Sequence, residues 1–310
     1  MCRYLVLDVF TDRPLEGNQL AVFPEAGTFG AELMQRLARE MSFSESIFVL
    51  PPTADGDACV RIFTPVRELP FAGHPVLGCA VALGERLRCD VVRLETQLAT
   101  IAVQLEHHGG RAVRGRMRQP VPPWRAYERV PELLAALGVE RSGLPVELYE
   151  HGPSHVYVEL ASPEAVAALR PDLAALAALG DIAVNCFAGA GHSWKTRMFA
   201  PAAGVIEDAA TGSAAGPLAL HLVRHGRLPI GEEIVISQGA EIGRPSTLLA
   251  RVAGSGGDVG HLEVAGSAVL VAEGRFSLPG LRRRAGDAPA GPCAGDEPSP
   301  EAGRPRDAGG

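Results

Sequence analysis

The chain contains two copies of one short motif, and this repeat restricts its possible folds more than any other feature. Arg61-Ile62-Phe63-Thr64-Pro65 is matched by Arg197-Met198-Phe199-Ala200-Pro201, and each copy closes a segment with the pattern of a strand. A polar loop and then a glycine, Gly73 or Gly212, follow each copy. Proline suits the first helical turn, so Pro75 supports a helix that begins near Gly73. A five-residue match can arise by chance, but the shared context downstream favours two related halves that face each other across a cleft.

Short strand and helix patterns alternate along residues 1–280, which predicts an α/β fold. Besides the helices that Gly73 and Gly212 open, helical spacing occurs at 31–41, 131–137, 163–169 and 216–224. Strand patterns occur at 4–10, 46–50, 58–63, 91–105, 112–118, 146–149, 154–160, 182–187, 193–199, 233–238 and 262–272.

Two changes in composition divide the chain. Pro120-Val121-Pro122-Pro123 is the best candidate for a linker, so we expect an N-terminal half at 1–119 and a C-terminal half at 120–280. After Leu281 the sequence is rich in Gly and Pro and contains no Val, Ile, Leu or Phe. Such a segment cannot bury enough apolar surface to offset its ordering entropy, and we predict that 281–310 is a disordered tail.

Composition argues against several classes of function. The 29 Lys and Arg against 36 Asp and Glu give a net charge of −7, which lacks the basic character of a nucleic-acid-binding protein. No apolar run approaches the ~20 residues that a membrane helix needs. The first residues turn acidic too early for a signal peptide. We therefore expect a cytoplasmic protein that binds neither nucleic acid nor a membrane.

The two glycine-led helices suggest a binding site. A helix N-terminus offers free backbone N–H groups and the positive end of the helix dipole, which suits a carboxylate. Gly73, Gly212 and Ser213 are the candidate substrate-binding residues, because glycine lets a ligand approach the backbone closely. The alternative is that each glycine serves only a tight turn.

Three ionisable residues are candidates for acid–base chemistry. Glu45 precedes the apolar strand at 46–50, where desolvation would raise its pKa toward that of a general base. His74 begins the first repeated helix, and an imidazole exchanges protons near neutral pH. Asp208 precedes the second helix. Each could instead be a rim or capping residue, but together they would allow proton transfer within one substrate.

This chemistry needs no metal, nucleotide or redox cofactor, and the sequence offers little to hold one. The six cysteines are scattered without a Cys-x-x-Cys pair, which argues against a structural zinc site. Lys195 is the only lysine and lies outside both helix-start loops, so a Schiff-base mechanism lacks a placed amine. His221 and His225 have the i, i+4 spacing of a metal pair but no Glu beside the first, so we interpret them as a plain surface helix face.

Several separated segments resemble the PhzF (phenazine biosynthesis-like) family over residues 5–275. They occur in the family's order: Asp8-Val9-Phe10-Thr11, Gly17-Asn18-Gln19-Leu20-Ala21-Val22-Phe23, Ser44-Glu45-Ser46, Phe71-Ala72-Gly73-His74-Pro75, Glu207-Asp208-Ala209-Ala210-Thr211-Gly212-Ser213-Ala214, Ser237-Gln238-Gly239 and Gly243-Arg244-Pro245-Ser246. Two departures, Gln19 in place of a common proline and Ser46 in place of a common threonine, suggest a changed pocket.

The resemblance implies a diaminopimelate epimerase-like fold. Its two pseudo-symmetric halves each wrap a mixed, barrel-like sheet around a central helix, and the active site lies in the cleft between them. It also implies that Glu45 is the acid–base residue, that His74 and Asp208 assist, and that Gly73 and Ser213 contact substrate. The best-known reaction of the family isomerises trans-2,3-dihydro-3-hydroxyanthranilate: a proton leaves C3, is redelivered within the ring, and a ketone results. Family members are typically homodimers.

Three functions remain open at this point. The first is a cofactor-independent isomerase acting on a small carboxylate. The second is an amino-acid epimerase or racemase, although Ala72 and Thr211 stand where the two-thiol epimerases of this fold have cysteines. The third is a non-catalytic binding protein that keeps the fold.

Overall fold

The computed structural model describes residues 1–255 and 257–278 of the chain. The tail predicted at 281–310 lies outside the described residues. No described helix is both long and apolar enough to span a bilayer.

The first part of the chain supplies eight strands and two helices. They are β1 (Cys2–Val9), β2 (Asn18–Phe23), α1 (Ala31–Met41), β3 (Glu45–Leu50), β4 (Ala58–Phe63), β5 (Glu68–Leu69), α2 (Gly73–Leu87), β6 (Val91–Glu95), β7 (Thr100–His108) and β8 (Arg111–Gln119).

The second part supplies nine strands, four helices and two short 3₁₀ turns at Pro201–Ala203 and Ala240–Ile242. Its strands and helices are β9 (Trp124–Ala126), α3 (Val130–Leu137), β10 (Glu147–Glu150), β11 (Ser154–Glu159), α4 (Pro163–Ala168), α5 (Leu173–Ala177), β12 (Ala183–Ala190), β13 (Ser193–Ala200), β14 (Val205–Asp208), α6 (Gly212–Arg224), β15 (Glu233–Gln238), β16 (Ser246–Ser255) and β17 (Asp258–Phe276).

Eight strands close into a ring around α2. The ring runs β1-β2-β3-β4-β6-β7-β8-β17 and returns to β1. The β2/β3 and β4/β6 pairs are parallel and the other pairs are antiparallel. This mixed barrel confirms the fold class expected from the sequence.

The second part repeats the same order around α6. Strands β10 to β13, β15, β16 and β17 pair in sequence, and the two parallel pairs, β11/β12 and β13/β15, fall at the equivalent places. Since pairing pattern and parallel positions both recur, the two barrels are structural repeats of one unit.

Each barrel borrows a strand from the other. The final strand β17 pairs with β16 at its start, with β8 in its middle and with β1 at its end. In the same way, β8 pairs with β7 and β17, and the chain that follows it forms β9 against β10. Because β17 belongs to both barrels, the boundary at 119/120 stays a prediction.

Glycines in the two central helices pack so closely against the surrounding strands that a larger residue would not fit there. A Cβ on Gly78 of α2 would lie 2.7 Å from side-chain atoms of Leu20 and Val9, and one on Gly216 of α6 would lie 2.6 Å from Gln119 Oε1. One hydrophobic cluster surrounds both helices, from Val76 and Leu77 of α2 to Leu218 and Leu222 of α6. The two helix N-termini are therefore held at fixed positions by the core.

The sequence patterns placed most elements but missed some. Strands β2, β5, β9, β14 and β16 and the short helix α5 were not predicted, and the strand pattern at 91–105 is two strands, β6 and β7. The helix predicted at 216–224 begins at Gly212, as the glycine-led helix argument requires. Pro217 lies inside α6 rather than at its first turn.

Candidate active site

The N-termini of α2 and α6 meet at the centre of the molecule. A Cβ on Gly73 would lie 2.4 Å from the carbonyl carbon of Gly212 and 2.5 Å from the nitrogen of Ser213, distances that only glycine permits. The two helix starts predicted from the repeat therefore face each other with their backbones in contact, which brings two sets of N–H groups to one place.

The repeated arginines are structural, and they explain why the repeat exists. Arg61 forms two hydrogen bonds with Glu68, at 2.7 and 2.5 Å, and its guanidinium lies over Phe63. Arg197 does the same with Glu207, at 2.9 and 2.7 Å, over Phe199. Each bidentate pair fixes the turn that leads into a central helix.

Glu45 and His74 approach each other without forming a hydrogen bond. Glu45 begins β3 and His74 is the second residue of α2, and Glu45 Oε2 lies 3.6 Å from His74 Nε2. Both atoms are buried and neither has a hydrogen-bond partner among the described residues. Buried polar atoms are nearly always paired, so two that are left open beside a cavity mark a place for a ligand.

Burial sets the protonation of this pair. Loss of solvent first, and the negative charge of Asp208 second, together raise the pKa of Glu45 to about 8, although the hydrogen bond from the Ser44 hydroxyl opposes the shift. Burial lowers the pKa of His74 to about 3, although a hydrogen bond with the Gln19 backbone favours the charged ring and opposes this shift. Glu45 therefore exchanges a proton near neutral pH, and His74 stays neutral.

Asp208 ends β14 and is tied to the other half of the site by Asn18. Asn18 Nδ2 donates to Asp208 Oδ1 at 2.8 Å and lies 3.3 Å from His74 Nδ1, while its Oδ1 accepts from Ser44 at 3.1 Å. The Thr211 hydroxyl donates to Asp208 Oδ2 at 2.7 Å. Burial raises the pKa of Asp208 to about 6 even though these donors favour its anion.

Gln238 holds the start of α6 against Asp208. Its Nε2 donates to the Asp208 carbonyl and to Thr211 Oγ1, both at 2.9 Å, and its Oε1 accepts from the Thr211 N–H at 3.2 Å. Further along, the Ala214 N–H bonds to the Thr211 carbonyl at 3.0 Å. The N–H groups of Gly212 and Ser213 lie between the paired N–H groups of Thr211 and Ala214. They belong to the first helical turn, where N–H groups have no partner within the helix and are free to bind a ligand.

One cavity contains every predicted site residue. It encloses about 580 Å³ of empty space, counting the part open to solvent, and Glu45, Gly73, His74, Asp208, Gly212 and Ser213 all line it. The structure thus brings together residues that the sequence separates by more than a hundred positions. Gln19 and Ser46 are not among the described residues that line the cavity, so the two departures do not change its wall directly.

Asn18, Gln238 and His155 belong to the site but were not predicted as site residues. Asn18 and Gln238 do fall in quoted family segments, which was the available signal. His155 lines the cavity, and its Nε2 lies 3.0 Å from Ser213 Oγ. No spacing in the sequence links His155 to Ser213.

The described residues that line the cavity include no thiol and no lysine amine. Cys2, Cys79, Cys89 and Cys186 are free thiols, and no cysteine among the described residues lines the cavity. Lys195 is paired with Glu241 at 2.7 Å, outside the cavity lining. A two-thiol or Schiff-base mechanism therefore lacks its reactive group within the described part of the site.

The interpretation of His221 and His225 as a surface face is wrong for His221. It is fully buried, because it packs against Tyr149, Tyr157 and Phe187 inside the second barrel. Both histidines lie 3.2 Å from Glu147 Oε2, which is the spacing of a metal cluster. Arg224 donates to the same oxygen at 2.5 Å, so a cation already neutralises this carboxylate.

Comparison with known proteins identifies the family of the chain. The family model described as phenazine biosynthesis-like protein matches residues 7–274. The chain belongs to the phenazine biosynthesis-like family. A trans-2,3-dihydro-3-hydroxyanthranilate isomerase from Pseudomonas aeruginosa is 55% identical over 278 residues, which cover 90% of this chain and 100% of the relative.

Solved structures of this family and beyond it share the fold. A protein described as a predicted epimerase from Pseudomonas aeruginosa matches with a TM-score of 0.77 and 33% identity, over 89% of this chain and 99% of that one. A probable proline racemase from Agrobacterium radiobacter matches with a TM-score of 0.61 over 91% and 94% of the two chains. At 13% identity, the racemase shows the shared fold alone.

Proposed function

We propose that this protein isomerises trans-2,3-dihydro-3-hydroxyanthranilate by acid–base proton transfer. Support comes from the identity with the isomerase from Pseudomonas aeruginosa along that relative's whole length. The observation that carries the proposal is the pair of buried, unpartnered atoms Glu45 Oε2 and His74 Nε2, 3.6 Å apart at one cavity.

The substrate's own chemistry explains what the site must do. An anthranilate carries a carboxylate on C1 and an amine on C2, and in the 2,3-dihydro compound C3 is tetrahedral and bears a hydroxyl and a hydrogen. Removing the C3 proton spreads the electron pair through the ring diene toward the carboxylate. Returning the proton to another ring carbon leaves an enol at C3, which rearranges to the ketone.

Glu45 takes and returns the proton. A pKa of about 8 allows both the carboxylate and the acid near neutral pH, so one group can serve as base and then as acid. Its buried position also keeps water from exchanging with the proton in transit. The other two groups need not change charge.

His74 and Asp208 orient the substrate and stabilise the intermediate. His74 is neutral because burial lowers its pKa to about 3, so it acts as a hydrogen-bond partner for the C3 oxygen rather than as a charged acid. Asp208, fixed by Asn18 and Thr211, faces the same cavity and suits the amine of the substrate.

The substrate carboxylate lies at the joined helix starts. N–H groups of Gly73, Gly212 and Ser213 are placed to donate to it, and they stabilise the negative charge that grows there as the C3 proton leaves. The contact between Gly73 and Gly212 brings these donors together.

Incubation of the purified protein with trans-2,3-dihydro-3-hydroxyanthranilate tests the proposal. We expect the ultraviolet spectrum of the diene to disappear as the ketone forms. If the spectrum does not change even when the protein is as concentrated as the substrate, the proposed function is wrong. Exchange of a Cα proton of an amino acid with solvent deuterium, without isomerisation, would instead support the epimerase alternative. Tight binding of cyclohexadienyl carboxylates without turnover would support a binding protein.

Two further parts of this proposal concern the protein's setting. We propose that it works as a homodimer, as the family resemblance suggests, and gel filtration with light scattering tests this. We also propose a cytoplasmic location, which fractionation of the producing cells tests.

A further inference from the structure

His155 is a buried group in the cavity wall for which the mechanism above has no use. It lies on β11, fully buried, and its Nε2 is 3.0 Å from the hydroxyl oxygen of Ser213 at the start of α6. Both side chains line the cavity with Glu45 and His74. A serine and a histidine in contact can act in two ways. The serine can be a nucleophile with the histidine as its base, or the serine hydroxyl can donate a hydrogen bond to a ligand while the histidine holds it in position.

Asn185 decides between these two arrangements. Its Nδ2 donates to the Ala183 carbonyl at 2.9 Å and lies 3.4 Å from the Val156 carbonyl, so the amide cannot be turned without setting its oxygen against two others. The same Nδ2 lies 3.3 Å from His155 Nδ1. The amide has two hydrogens to donate: one is taken by the Ala183 carbonyl, and the other has His155 Nδ1 at 3.3 Å as a nearer acceptor than the Val156 carbonyl at 3.4 Å. We therefore infer that His155 Nδ1 accepts from Asn185.

The hydrogen of the His155 ring is therefore on Nε2. Burial, with a smaller contribution from nearby His151, lowers the pKa of His155 to about 3, so the ring is neutral and carries one hydrogen. With Nδ1 accepting from Asn185, Nε2 donates to Ser213 Oγ. His155 then has no lone pair to accept the Ser213 proton, which excludes the nucleophile arrangement.

The direction of this hydrogen bond sets the direction of the Ser213 hydroxyl. Since Ser213 Oγ is the acceptor toward His155, its own hydrogen must point elsewhere, and the cavity lies beside it. The backbone N–H of Ser213 is one of those available at the helix start. The hydroxyl and the backbone N–H of Ser213 can then both donate hydrogen bonds to one bound anion.

We propose that His155 is a positioning residue for this reaction, which holds the Ser213 hydroxyl as a hydrogen-bond donor to the substrate carboxylate. This inference rests on the proposed function for the identity of the carboxylate. It predicts that His155 contributes to substrate binding only while Ser213 keeps its hydroxyl.

A double-mutant cycle tests this dependence. The probe is 3-hydroxyanthranilate, the aromatic counterpart of the proposed substrate, and its Kd is measured by calorimetry on the full chain. We expect His155→Phe to raise Kd about tenfold when Ser213 is present and less than twofold in the Ser213→Ala protein. Equal losses in both backgrounds would overturn the proposal, because they would show a merely structural role.

Two controls separate positioning from folding. His155→Gln, which keeps an N–H donor of similar reach, should restore most of the affinity that His155→Phe loses. His221→Phe removes an equally buried histidine that lies within hydrogen-bond distance of Glu147 and Tyr149 and does not contact Ser213. Its effect should be the same with and without Ser213→Ala. A His155→Gln protein that binds as weakly as His155→Phe contradicts the proposal.

A spectroscopic measurement gives an answer even where a variant fails to fold. Long-range proton–nitrogen NMR of the unmodified protein distinguishes the protonated ring nitrogen of each histidine. We expect hydrogen on His155 Nε2, and hydrogen on Nδ1 would overturn the proposal. These binding and NMR results do not require turnover, so a failure of the proposed reaction would be seen separately.

Discussion

Asn18 donates a 2.8 Å hydrogen bond to Asp208, a residue 190 positions further along the chain. The same amide lies beside His74 and accepts from Ser44, so it connects both halves of the acid–base site. Asn18→Ala removes these donors and leaves buried oxygen atoms unpaired. We expect kcat to fall by about ten- to a hundredfold, measured by steady-state kinetics. A kcat within twofold of the unmodified protein would contradict this role.

Glu45→Gln should abolish turnover while making the fold more stable. At least a thousandfold loss of kcat is the expectation, roughly the contribution of a general base. The pKa of Glu45 in the folded protein, about 8, lies above its usual 4.5, so folding favours the protonated side chain. The contribution of protonated Glu45 to the stability of the fold is therefore complete below pH 4.5 and is lost as pH rises through 8. The variant should therefore melt at a higher temperature than the unmodified protein at pH 8 and at the same temperature near pH 4.5. Full activity in Glu45→Gln would refute the assignment.

The pH dependence of kcat/KM should reveal the coupling between the two carboxyl groups. Glu45 must be deprotonated to act as a base, so kcat/KM should rise as pH approaches 8. Asp208 is one cause of the raised pKa of Glu45. In Asp208→Asn the rising limb should therefore move to lower pH, although the maximum rate also falls. A limb that stays in place would show that burial alone sets the pKa of Glu45.

Substitution at the contact between the two helix starts should damage both stability and activity. Gly73→Ala places a Cβ 2.4 Å from the Gly212 backbone, and two helix starts held by the core cannot separate easily. We expect a loss of about 1–3 kcal/mol in the free energy of unfolding, measured by urea denaturation, and a loss of at least tenfold in kcat/KM. Gly30→Ala, at the N-cap of α1 with nothing within 4 Å of its Cβ, is the steric control: it should leave kcat/KM unchanged and cost no more than the loss of about 1 kcal/mol expected for alanine at an N-cap.

Arg67 is the only lysine or arginine among the described residues of the cavity wall, and it pairs with Asp181 from the other half of the chain. Both side chains are about half exposed, so the pair contributes at most about 1 kcal/mol to stability. Arg67→Gln should instead raise KM several-fold and weaken the dependence of kcat/KM on salt, because a charge that attracts an anionic substrate is gone. Unchanged KM at low and high salt would contradict this.

The fold was predictable where local pattern and long-range structure agree. The helix at 31–41 was predicted with its observed bounds, since its apolar spacing faces a buried sheet. The repeat located both central helices, because its two arginines pair with glutamates in the turns that lead into α2 and α6. Strand β2 was missed because it begins with two polar residues, Asn18 and Gln19, and the partners of the buried Asn18 side chain lie far along the chain.

The site was predictable in part for the same reason. Gly73, His74, Gly212 and Ser213 stand at helix starts, and a helix start can be identified from its own few residues. Asn18, Gln238 and His155 act through hydrogen bonds to residues up to 192 positions away, and no spacing within one sequence reports such a contact. The pKa values likewise depend on burial, which exists only once both barrels have closed.

The long strand β17 also determines the order in which the molecule can be completed. Its last residues pair with β1, so Cys2 is opposite Phe276. During synthesis on the ribosome, the first barrel must wait for the final strand to emerge before its sheet can close. Until then one edge of β1 lacks its partner strand, and an exposed strand edge makes a nascent chain prone to aggregation.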